Sequence, residues 1–473
     1  MLSKWLRMAS PALMVLPVIF VGSDSQVTTG ESEELETPGA IDLTLPGNDV
    51  ATNQVLGPNR LDAAVGTNIM VNDRTLCPSG RGNIQSETSV AVWNNWVLAA
   101  FNDSRGVCDP DNHAAVGWAL SYDWGTTWTD GGGLPNSRQL NNGDPWLAVG
   151  PDGTFYLTGL YNGYQGFGFY RGTIDEGGGF TWNFVRVVSF PPSATHDKEA
   201  IAVDQNTGRI HLTYTRFGTP GGIMATYSDD QGETWSPQVT VFNGGSFQGS
   251  FPAIDGQGNV YVALQAGTTI RVFKSSDGGD SFQSSASFNY VASSVTSMDR
   301  SSDFPQVAID TSGGAFDGFV YVVWHSGIAG GNQPMISHSE DGGSSWTDPI
   351  PVNQDTVVTN HWWPSVSVDA NGTVNVIYLD RRNNPGTSFT DLFLSQSTDG
   401  GYTFTDTQVT DVTSSWAGIA HDSGFTWSGD YIRGVTQGTS LYATWADPRN
   451  GDPDVYFSRI DSLELAARNN QNK

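Results

Sequence analysis

The phrase SYDWGTTW at Ser121–Trp128 recurs along the chain with its Ser, Asp, Gly and terminal aromatic residue at the same spacing. In such a phrase the Asp carboxylate accepts backbone N–H bonds, Gly adopts a positive φ and the aromatic ring packs on a hairpin. We therefore predict a strand–turn–strand unit at each copy, with its Asp committed to the turn. The other copies are SDDQGETW at Ser228–Trp235, SSDGGDSF at Ser275–Phe282, SEDGGSSW at Ser339–Trp346, STDGGYTF at Ser397–Phe404 and a stretched TIDEGGGFTW at Thr173–Trp182.

A second recurring phrase gives the number of structural repeats. It consists of a short apolar strand, a tight Asp-x-Gly or Asn-Gly turn and a strand that ends in aromatic residues. The spacing of roughly 53 to 67 residues suits four-stranded propeller blades. Seven copies begin at Glu87, Asp144, Lys198, Phe251, Phe304, Trp363 and Asp430.

Closure of the ring follows from a mismatch between the two phrases. The seventh unit ends with a third strand at Asp454–Ile460 and has no fourth strand after it. The apolar segment Gly66–Asp73, upstream of the first unit, can supply that strand and leave few open sheet edges. We predict an all-β chain that forms a seven-bladed β-propeller of four-stranded antiparallel blades, closed by an N-terminal strand.

The first phrase resembles the Asp-box, or bacterial neuraminidase repeat, of sialidase-like β-propellers. Its six copies span Ser121–Phe404. The resemblance implies the propeller fold, a structural function for the repeated Asp residues and a site near the axis on the face opposite these turns. It also suggests a glycoside hydrolase that acts on a carbohydrate or glycoconjugate. The chain departs from sialidases in lacking an Arg-Ile-Pro signature, to which Arg81 is a poor match, and in having seven blades where six are expected.

The ends of the chain predict export. Lys4 and Arg7 precede an apolar run at Met8–Gly22 that is short for a membrane span and typical of a signal peptide. We assign residues 1–23 to a signal peptide, 24–62 to an acidic flexible linker, 63–461 to the propeller and 462–473 to a polar tail. These boundaries predict a secreted or periplasmic protein without membrane insertion, which we expect to be a monomer.

The two cysteines and the net charge limit the environment, the partners and the metal ions that suit this chain. Cys77 and Cys108 flank the predicted seam, and a disulfide between them suits an exported protein. The net charge of −27 argues against nucleic-acid and anionic-membrane partners. No Cys/His spacing indicates zinc, and we predict no cofactor and no metal site. The oxygen-rich loops Cys108–Asn112 and Asn450–Asp454 would nevertheless permit Ca²⁺.

Three arginines follow the second strands of blades that become neighbours once the ring closes. They are Arg105, Arg382 and Arg449, each preceded by an Asp: Asp103, Asp380 and Asp447. In one interpretation each Asp holds its own arginine and pins the loop. In the other, the three guanidinium groups converge on a substrate carboxylate, as three arginines do in sialidases.

Few glutamates are available for catalysis. Glu199 and Glu87 lie at the crossovers between blades, and Asp380 is a third candidate catalytic carboxylate. A retaining, sialidase-like mechanism also needs a Tyr nucleophile, for which Tyr431, Tyr378 and Tyr161 all remain open. The further candidate substrate-binding residues are Trp362, Trp363, Tyr161, Arg216 and His361.

Three functions remain open. A hydrolase predicts two carboxylates across the axis, about 5–9 Å apart. A non-catalytic glycan- or protein-binding scaffold predicts aromatic residues and arginines without such a pair. A polysaccharide lyase predicts His, Tyr and Arg together; His196, His325, His361 and His421 are the histidines considered for it.

Overall fold

The computed structural model describes residues 68–74, 84–104, 115–135, 141–161, 164–189, 194–295, 297–298, 300–419 and 428–461. Their strands form seven antiparallel sheets, each built on a path of four hydrogen-bonded strands. The innermost strands of successive sheets contact one another in a cycle that returns from the last sheet to the first. The prediction of a seven-bladed β-propeller is confirmed. No helix in the described part of the chain has the length and apolarity that crossing a membrane requires.

The blades follow chain order. Blades 1 and 2 consist of β2 (Gln85–Trp93), β3 (Trp96–Asp103), β4 (Val116–Ser121) and β5 (Thr129–Gly133), then β6 (Asn141–Val149), β7 (Phe155–Tyr161), β8 (Gly166–Ile174) and β9 (Phe180–Val188). Blades 3 and 4 consist of β10 (His196–Val203), β11 (Ile210–Arg216), β12 (Gly222–Ser228) and β13 (Val239–Phe242), then β14 (Phe247–Ile254), β15 (Val260–Ala266), β16 (Thr269–Ser275) and β17 (Gln283–Asn289).

The remaining blades complete the ring. Blade 5 consists of β18 (Gln306–Ile309), β19 (Val320–Ile328), β20 (Gly331–Ser339) and β21 (Ile350–Pro351). Blade 6 consists of β22 (His361–Val368), β23 (Val374–Asp380), β24 (Phe389–Ser397) and β25 (Thr405–Gln408), with β26 (Ser414–Ser415) also paired to β24. Blade 7 consists of β27 (Arg433–Gln437), β28 (Ser440–Asp447), β29 (Asp454–Asp461) and β1 (Ile69–Met70).

The N-terminal strand closes the ring as predicted. Ile69 and Met70 in β1 pair with Phe457 and Tyr456 in β29. The pairing is extended by Asn72, whose side-chain oxygen accepts a 2.7 Å hydrogen bond from the backbone N–H of Val455. The two ends of the propeller therefore share one blade, and the outer edge of β29 is covered.

Five of the six repeated turns share one hydrogen-bond pattern, whereas in the stretched copy Asp175 accepts from the backbone N–H groups of Gly177 and Gly179, both at 2.8 Å. In the copy at Asp123, one carboxylate oxygen accepts from the Ser121 hydroxyl and the Thr127 backbone N–H, both at 2.8 Å. The other oxygen accepts from the Thr127 hydroxyl at 2.7 Å. Such hydrogen bonds stabilise the carboxylate and lower the pKa of Asp277 and of Asp341 to about 2. The same pattern is formed by Asp230, Asp277, Asp341 and Asp399.

These turns also seal the contacts between blades, which gives a first prediction. Gly232 has a φ of 92°, and a Cβ added to it would lie 2.1 Å from the ring of Phe169 in the preceding blade. Gly232→Ala is expected to lower the free energy of unfolding by about 2–4 kcal/mol, because it adds backbone strain and a steric clash. Urea denaturation measures the change.

Gly245→Ala is the matched control. Its φ is 67°, but a Cβ there would have open space around it. We expect a loss of about 1 kcal/mol from the backbone conformation alone. Equal losses in the two variants would contradict the inferred packing of the repeated turn on Phe169.

The two faces of the ring carry different connections. Because strand direction alternates, the hairpins between the first and second strands and between the third and fourth strands emerge on one face, here called the turn face. In blade 1 these hairpins meet where the Trp124 N–H donates to the Asn95 carbonyl at 3.0 Å. The opposite face, here called the crossover face, is where each innermost strand begins.

Candidate functional site

β-Bulges interrupt the innermost strands of blades 1, 2 and 3 near the crossover face. The residues at the bulges are Glu87, Asp144 and Lys198, which have φ values of 51°, 58° and 51°. A left-handed conformation costs a residue with a side chain roughly 1–3 kcal/mol and is kept where the surrounding structure demands it. A bulge also redirects a side chain out of the strand alternation. Here the bulges bring three ionisable side chains from separate blades together.

Lys198 is the centre of a buried ionic cluster, which we call the axial cluster and define as Glu87, Asp144, Lys198 and Asp430. The Lys198 Nζ lies 3.1 Å from Glu87 Oε1, 2.7 Å from Asp144 Oδ2 and 2.7 Å from Asp430 Oδ2. Its side chain is only 3% exposed. Since Asp430 precedes blade 7, one ammonium group connects four blades.

The members of the axial cluster differ in ionisation. Burial, followed by the negative charge of Asp144, raises the pKa of Glu87 well above its usual value. Burial also opposes ionisation of Asp144, but the Lys198 charge and hydrogen bonds from Glu87 and Lys198 outweigh it and lower the Asp144 pKa. The positive charges of Lys198 and Arg300 likewise outweigh the burial of Asp430 and lower its pKa below the ordinary value. Glu87 therefore holds a proton while Asp144 and Asp430 are ionised.

Asp197 sits beside the axial cluster and is partly accessible. Its Oδ2 accepts a 2.7 Å hydrogen bond from Gln248 Nε2. Burial raises its pKa to about 7, with a further contribution from the charge of Asp144 and from hydrogen bonding between the two carboxyl groups, against the lowering effect of Lys198. Neighbouring carboxyl groups with pKa values pushed apart form an acid and a base that can exchange a proton.

The rim of the site exposes an aromatic ring and a cation. Tyr164 has a φ of 66° and is 42% exposed. Burial raises the pKa of the Tyr164 hydroxyl, and the negative charges of Asp144 and Asp197 raise it further. The Arg300 side chain is 46% exposed and donates a 2.6 Å hydrogen bond to Asp430. Aromatic rings and charged hydrogen-bonding groups at such a rim are suited to binding a polar ligand.

Aromatic side chains close the channel beneath the axial cluster. Trp146 packs on Phe251 and Tyr431 with ring centroids 4.7 Å and 5.5 Å apart. The Tyr431 hydroxyl donates a 3.0 Å hydrogen bond to the carbonyl of Pro145. These three rings, here called the aromatic plug, come from blades 2, 4 and 7. The axial cluster therefore faces the crossover side of the ring.

The candidate carboxylates occupy three different environments. Glu87 belongs to the axial cluster. Glu199, the adjacent residue to Lys198, is buried, and its carboxyl oxygens have no hydrogen-bond partner among the described residues. Burial and the charge of Asp144 raise its pKa well above the ordinary value, which favours its neutral form. Asp380 lies in blade 6, where its carboxylate binds Arg382.

Two of the three candidate arginines form local ion pairs. Arg382 Nε lies 2.6 Å from Asp380 Oδ2 and its Nη2 lies 3.2 Å from Asp355. Arg449 lies 2.7 Å from Asp447 and 2.6 Å from Asp411. This arrangement agrees with the interpretation in which each Asp holds its own arginine and pins the loop. Arg105 lies outside the described residues, as do Arg81, His421, both cysteines and the Cys108–Asn112 loop.

The other candidate binding residues contribute to packing. Trp362 and Trp363 are 0% and 3% exposed and belong to one hydrophobic cluster, so neither presents a ring face to a ligand. Tyr161 is buried and stacks on Phe184. Arg216 is buried and donates a 3.0 Å hydrogen bond to Gln238.

His361 belongs to the one group among the described residues whose geometry suits a metal ion. Ligand atoms of Asp355, His361 and Asp380 lie within 4.8 Å of one another. Arg382 binds both carboxylates, so this group already has a cation. In the Asn450–Asp454 loop, Arg74 likewise pairs with Asp452 and Asp454. Both settings favour an arginine over a metal ion.

The sequence pattern does not predict that these residues lie close together in the fold. In the sequence, Asp144, Lys198 and Asp430 stand out only as the first residues of apolar strand phrases. The available signal was the first position of the apolar strands: blades 1, 2 and 3 begin with Glu87, Asp144 and Lys198 where a buried strand would ordinarily begin with an apolar residue. Three charged residues at equivalent positions of neighbouring blades indicate a common meeting point.

The sequence matches no protein-family model and no curated protein. Solved structures with a similar arrangement include the Hadza microbial sialidase Hz136, at 14% identity and a TM-score of 0.42, covering 78% of this chain and 76% of that one. An α-L-arabinofuranosidase from Fusarium graminearum is 13% identical with a TM-score of 0.48, covering 85% and 99%. An ulvan lyase is 11% identical with a TM-score of 0.49, covering 85% and 99%. These likenesses do not assign an activity to this chain.

Proposed function

We propose that this protein is a glycan-acting enzyme, a glycoside hydrolase, whose reaction centre is the mouth of the axial cluster. The observation that carries the proposal is the contact between the carboxyl groups of Asp144 and Asp197 beside the buried Lys198 ammonium. A proton donor that is half protonated near neutral pH is what cleavage of a glycosidic bond requires. The repeated turns, which we assign to the Asp-box class, and the predicted export suit an enzyme for extracellular glycans.

The proposed chemistry begins with proton transfer from Asp197 to the glycosidic oxygen as its bond to the anomeric carbon breaks. Water adds to the anomeric carbon, and the proton it loses returns to the Asp144–Asp197 pair, so the pair is regenerated. The two carboxyl groups are in hydrogen-bonding contact, closer than the about 5–9.5 Å that separates an opposed acid and nucleophile or base. They therefore act as one proton-sharing unit, with Lys198 keeping Asp144 ionised.

The substrate is held by the rim in this proposal. Tyr164 offers a ring face for a sugar, and Gln248 and Arg300 offer hydrogen-bond donors. The locally paired Arg382 and Arg449 are not assigned to substrate binding here. The sialic acid interpretation, which depends on three converging arginines, is accordingly not part of the proposal.

A non-catalytic glycan-binding function is the second candidate. It is favoured by the same exposed rim together with the near balance of charge below it, where two cations face two ionised carboxylates. Incubation with a panel of neutral, uronic and sialylated glycans separates the two. A hydrolase releases saturated reducing ends, whereas binding without new reducing ends would favour the second candidate. Unsaturated products would indicate a lyase and contradict hydrolysis.

The rim can be tested once a substrate is found. Tyr164→Ala is expected to raise KM by up to about tenfold with a smaller change in kcat, since a lost stacking contact is worth roughly 0.5–1.5 kcal/mol. Steady-state kinetics give the change. Tyr402→Ala is the matched control, because Tyr402 is 50% exposed within a repeated turn on the opposite face. An unchanged KM in Tyr164→Ala would remove Tyr164 from the substrate site.

A further inference from the structure

A cavity of about 220 Å³ lies at the centre of the ring on the turn face. Its walls are the second halves of the innermost strands, Val90–Val92 in blade 1, Leu147–Val149 in blade 2 and Ile201–Val203 in blade 3. Val435 and Thr436 from blade 7, Pro252 from blade 4 and Gln205 after β10 also line the cavity, whose walls are mainly aliphatic. We call this cavity the axial well.

Arg433 is the charged residue that lines the axial well. Its guanidinium carbon lies 4.2 Å from the ring centroid of Trp146, a member of the aromatic plug. Its Nη1 donates hydrogen bonds to the Ser89 hydroxyl, at 3.2 Å, and to the Leu147 carbonyl. The plug thus separates Arg433 from the axial cluster and orients the guanidinium group.

The charge of Arg433 is uncompensated by any carboxylate in the described part of the chain. Its hydrogen-bond acceptors are neutral, whereas Arg382 and Arg449 each contact at least two aspartates. Burial lowers the pKa of Arg433 to about 9, which reflects the cost of enclosing a cation without a counter-ion. An anion that entered the well would relieve that cost.

We propose that the axial well binds a small carboxylate with an apolar body. A planar guanidinium pairs with a carboxylate through two parallel hydrogen bonds, and its stacking on Trp146 fixes the plane of that pairing. The aliphatic walls exclude water from a short hydrocarbon chain or ring. The volume equals about seven water molecules at ~30 Å³ each, so it suits a ligand of a few carbon atoms and is too small for an oligosaccharide.

This site is independent of the proposed reaction centre. It lies on the opposite face, is separated from that centre by the aromatic plug, and shares no residue with the axial cluster. Loss of glycan turnover would leave the carboxylate site untouched, and the reverse also holds.

The test uses hexanoate as the probe and titration calorimetry on the full chain. We expect a dissociation constant below about 1 mM for hexanoate, corresponding to about −4 kcal/mol, and at least tenfold weaker binding of the uncharged analogue hexanamide. Arg433→Met is expected to weaken hexanoate binding at least tenfold.

A second variant keeps the proposal testable if Arg433→Met does not fold. Ala202 lines the well and is partly accessible, so Ala202→Phe should block the well while Arg433 remains. It is expected to weaken binding of hexanoate at least tenfold. Lack of hexanoate binding to the unsubstituted chain, equal binding of hexanoate and hexanamide, or undiminished binding in Ala202→Phe would each overturn the proposal.

Discussion

Replacing Lys198 with methionine is expected to lower the free energy of unfolding by about 3–5 kcal/mol at pH 7. The substitution removes the ammonium group that contacts Glu87, Asp144 and Asp430 together, and it leaves only Asp430 with another cation among the described residues, Arg300. Methionine preserves most of the side-chain volume, so the loss reflects charge more than packing. Urea denaturation monitored by tryptophan fluorescence measures it.

The pH dependence of this loss follows from the direction of the pKa shifts. In the native protein Lys198 helps to hold the pKa values of Asp144 and Asp430 below their ordinary values, so these groups stabilise the fold above that range. Without the ammonium group, burial raises the pKa of Asp144 above that of the unfolded chain, and Asp430 keeps only the charge of Arg300 to oppose its burial. The stability difference between native protein and variant should therefore grow as the pH rises from about 4 to 7.

Lys274→Met is the control for the loss of a lysine in the propeller. Lys274 contacts the Gly342 carbonyl at 2.8 Å and the ring of Tyr261, and it forms no ion pair with a described carboxylate. We expect it to cost about 1 kcal/mol or less, with little dependence on pH. A Lys198→Met variant that is as stable as Lys274→Met at pH 7 would show that the axial cluster does not depend on its cation.

The fold could be predicted from the sequence because its determinants are local. Each repeated turn occupies eight to ten consecutive residues, from Ser121 to Trp128 in the first copy, and the hydrogen bonds of its Asp join residues at most four positions apart. Even ring closure, which pairs Ile69 with Phe457, was predictable because the last blade lacked a strand. Counting repeats was sufficient for both.

The site was less predictable because it depends on bulges and on contacts between distant blades. Alternation along β10 does not reveal that Lys198 reaches Asp430 while Glu199 is buried with no hydrogen-bond partner among the residues that the structure describes. Their neighbouring positions in the sequence suggested the opposite assignment, with Glu199 as the functional acid. A contact such as Lys198 with Asp430, 232 positions apart, exists only once the ring has closed. Likewise, Trp362 and Trp363 face the core because of the local bulge in β22.

Replacing Asp197 with asparagine is expected to reduce kcat for glycan cleavage about 10²–10⁴-fold, because the amide cannot protonate the departing oxygen. Asparagine keeps the size of the side chain and can still contact Gln248, so folding and glycan binding should be preserved. In the unsubstituted enzyme, kcat should fall as the pH rises through about 7, where Asp197 loses its proton. That alkaline decline should be absent from the residual activity of Asp197→Asn.

Asp144→Asn separates a catalytic proton pair from a merely structural one. Removing the Asp144 charge takes away one interaction that raises the Asp197 pKa and leaves Lys198 less compensated, and both changes lower that pKa. The alkaline decline of kcat should therefore move to lower pH in Asp144→Asn. Asp229→Asn, which alters an exposed ion pair with Arg209, should leave the profile unchanged. Two coupled carboxyl groups that share the catalytic proton require a loss of kcat in Asp197→Asn and a shifted alkaline decline in Asp144→Asn. If Asp197→Asn retains full kcat, or if the decline stays at the same pH in Asp144→Asn, the proton donor lies elsewhere.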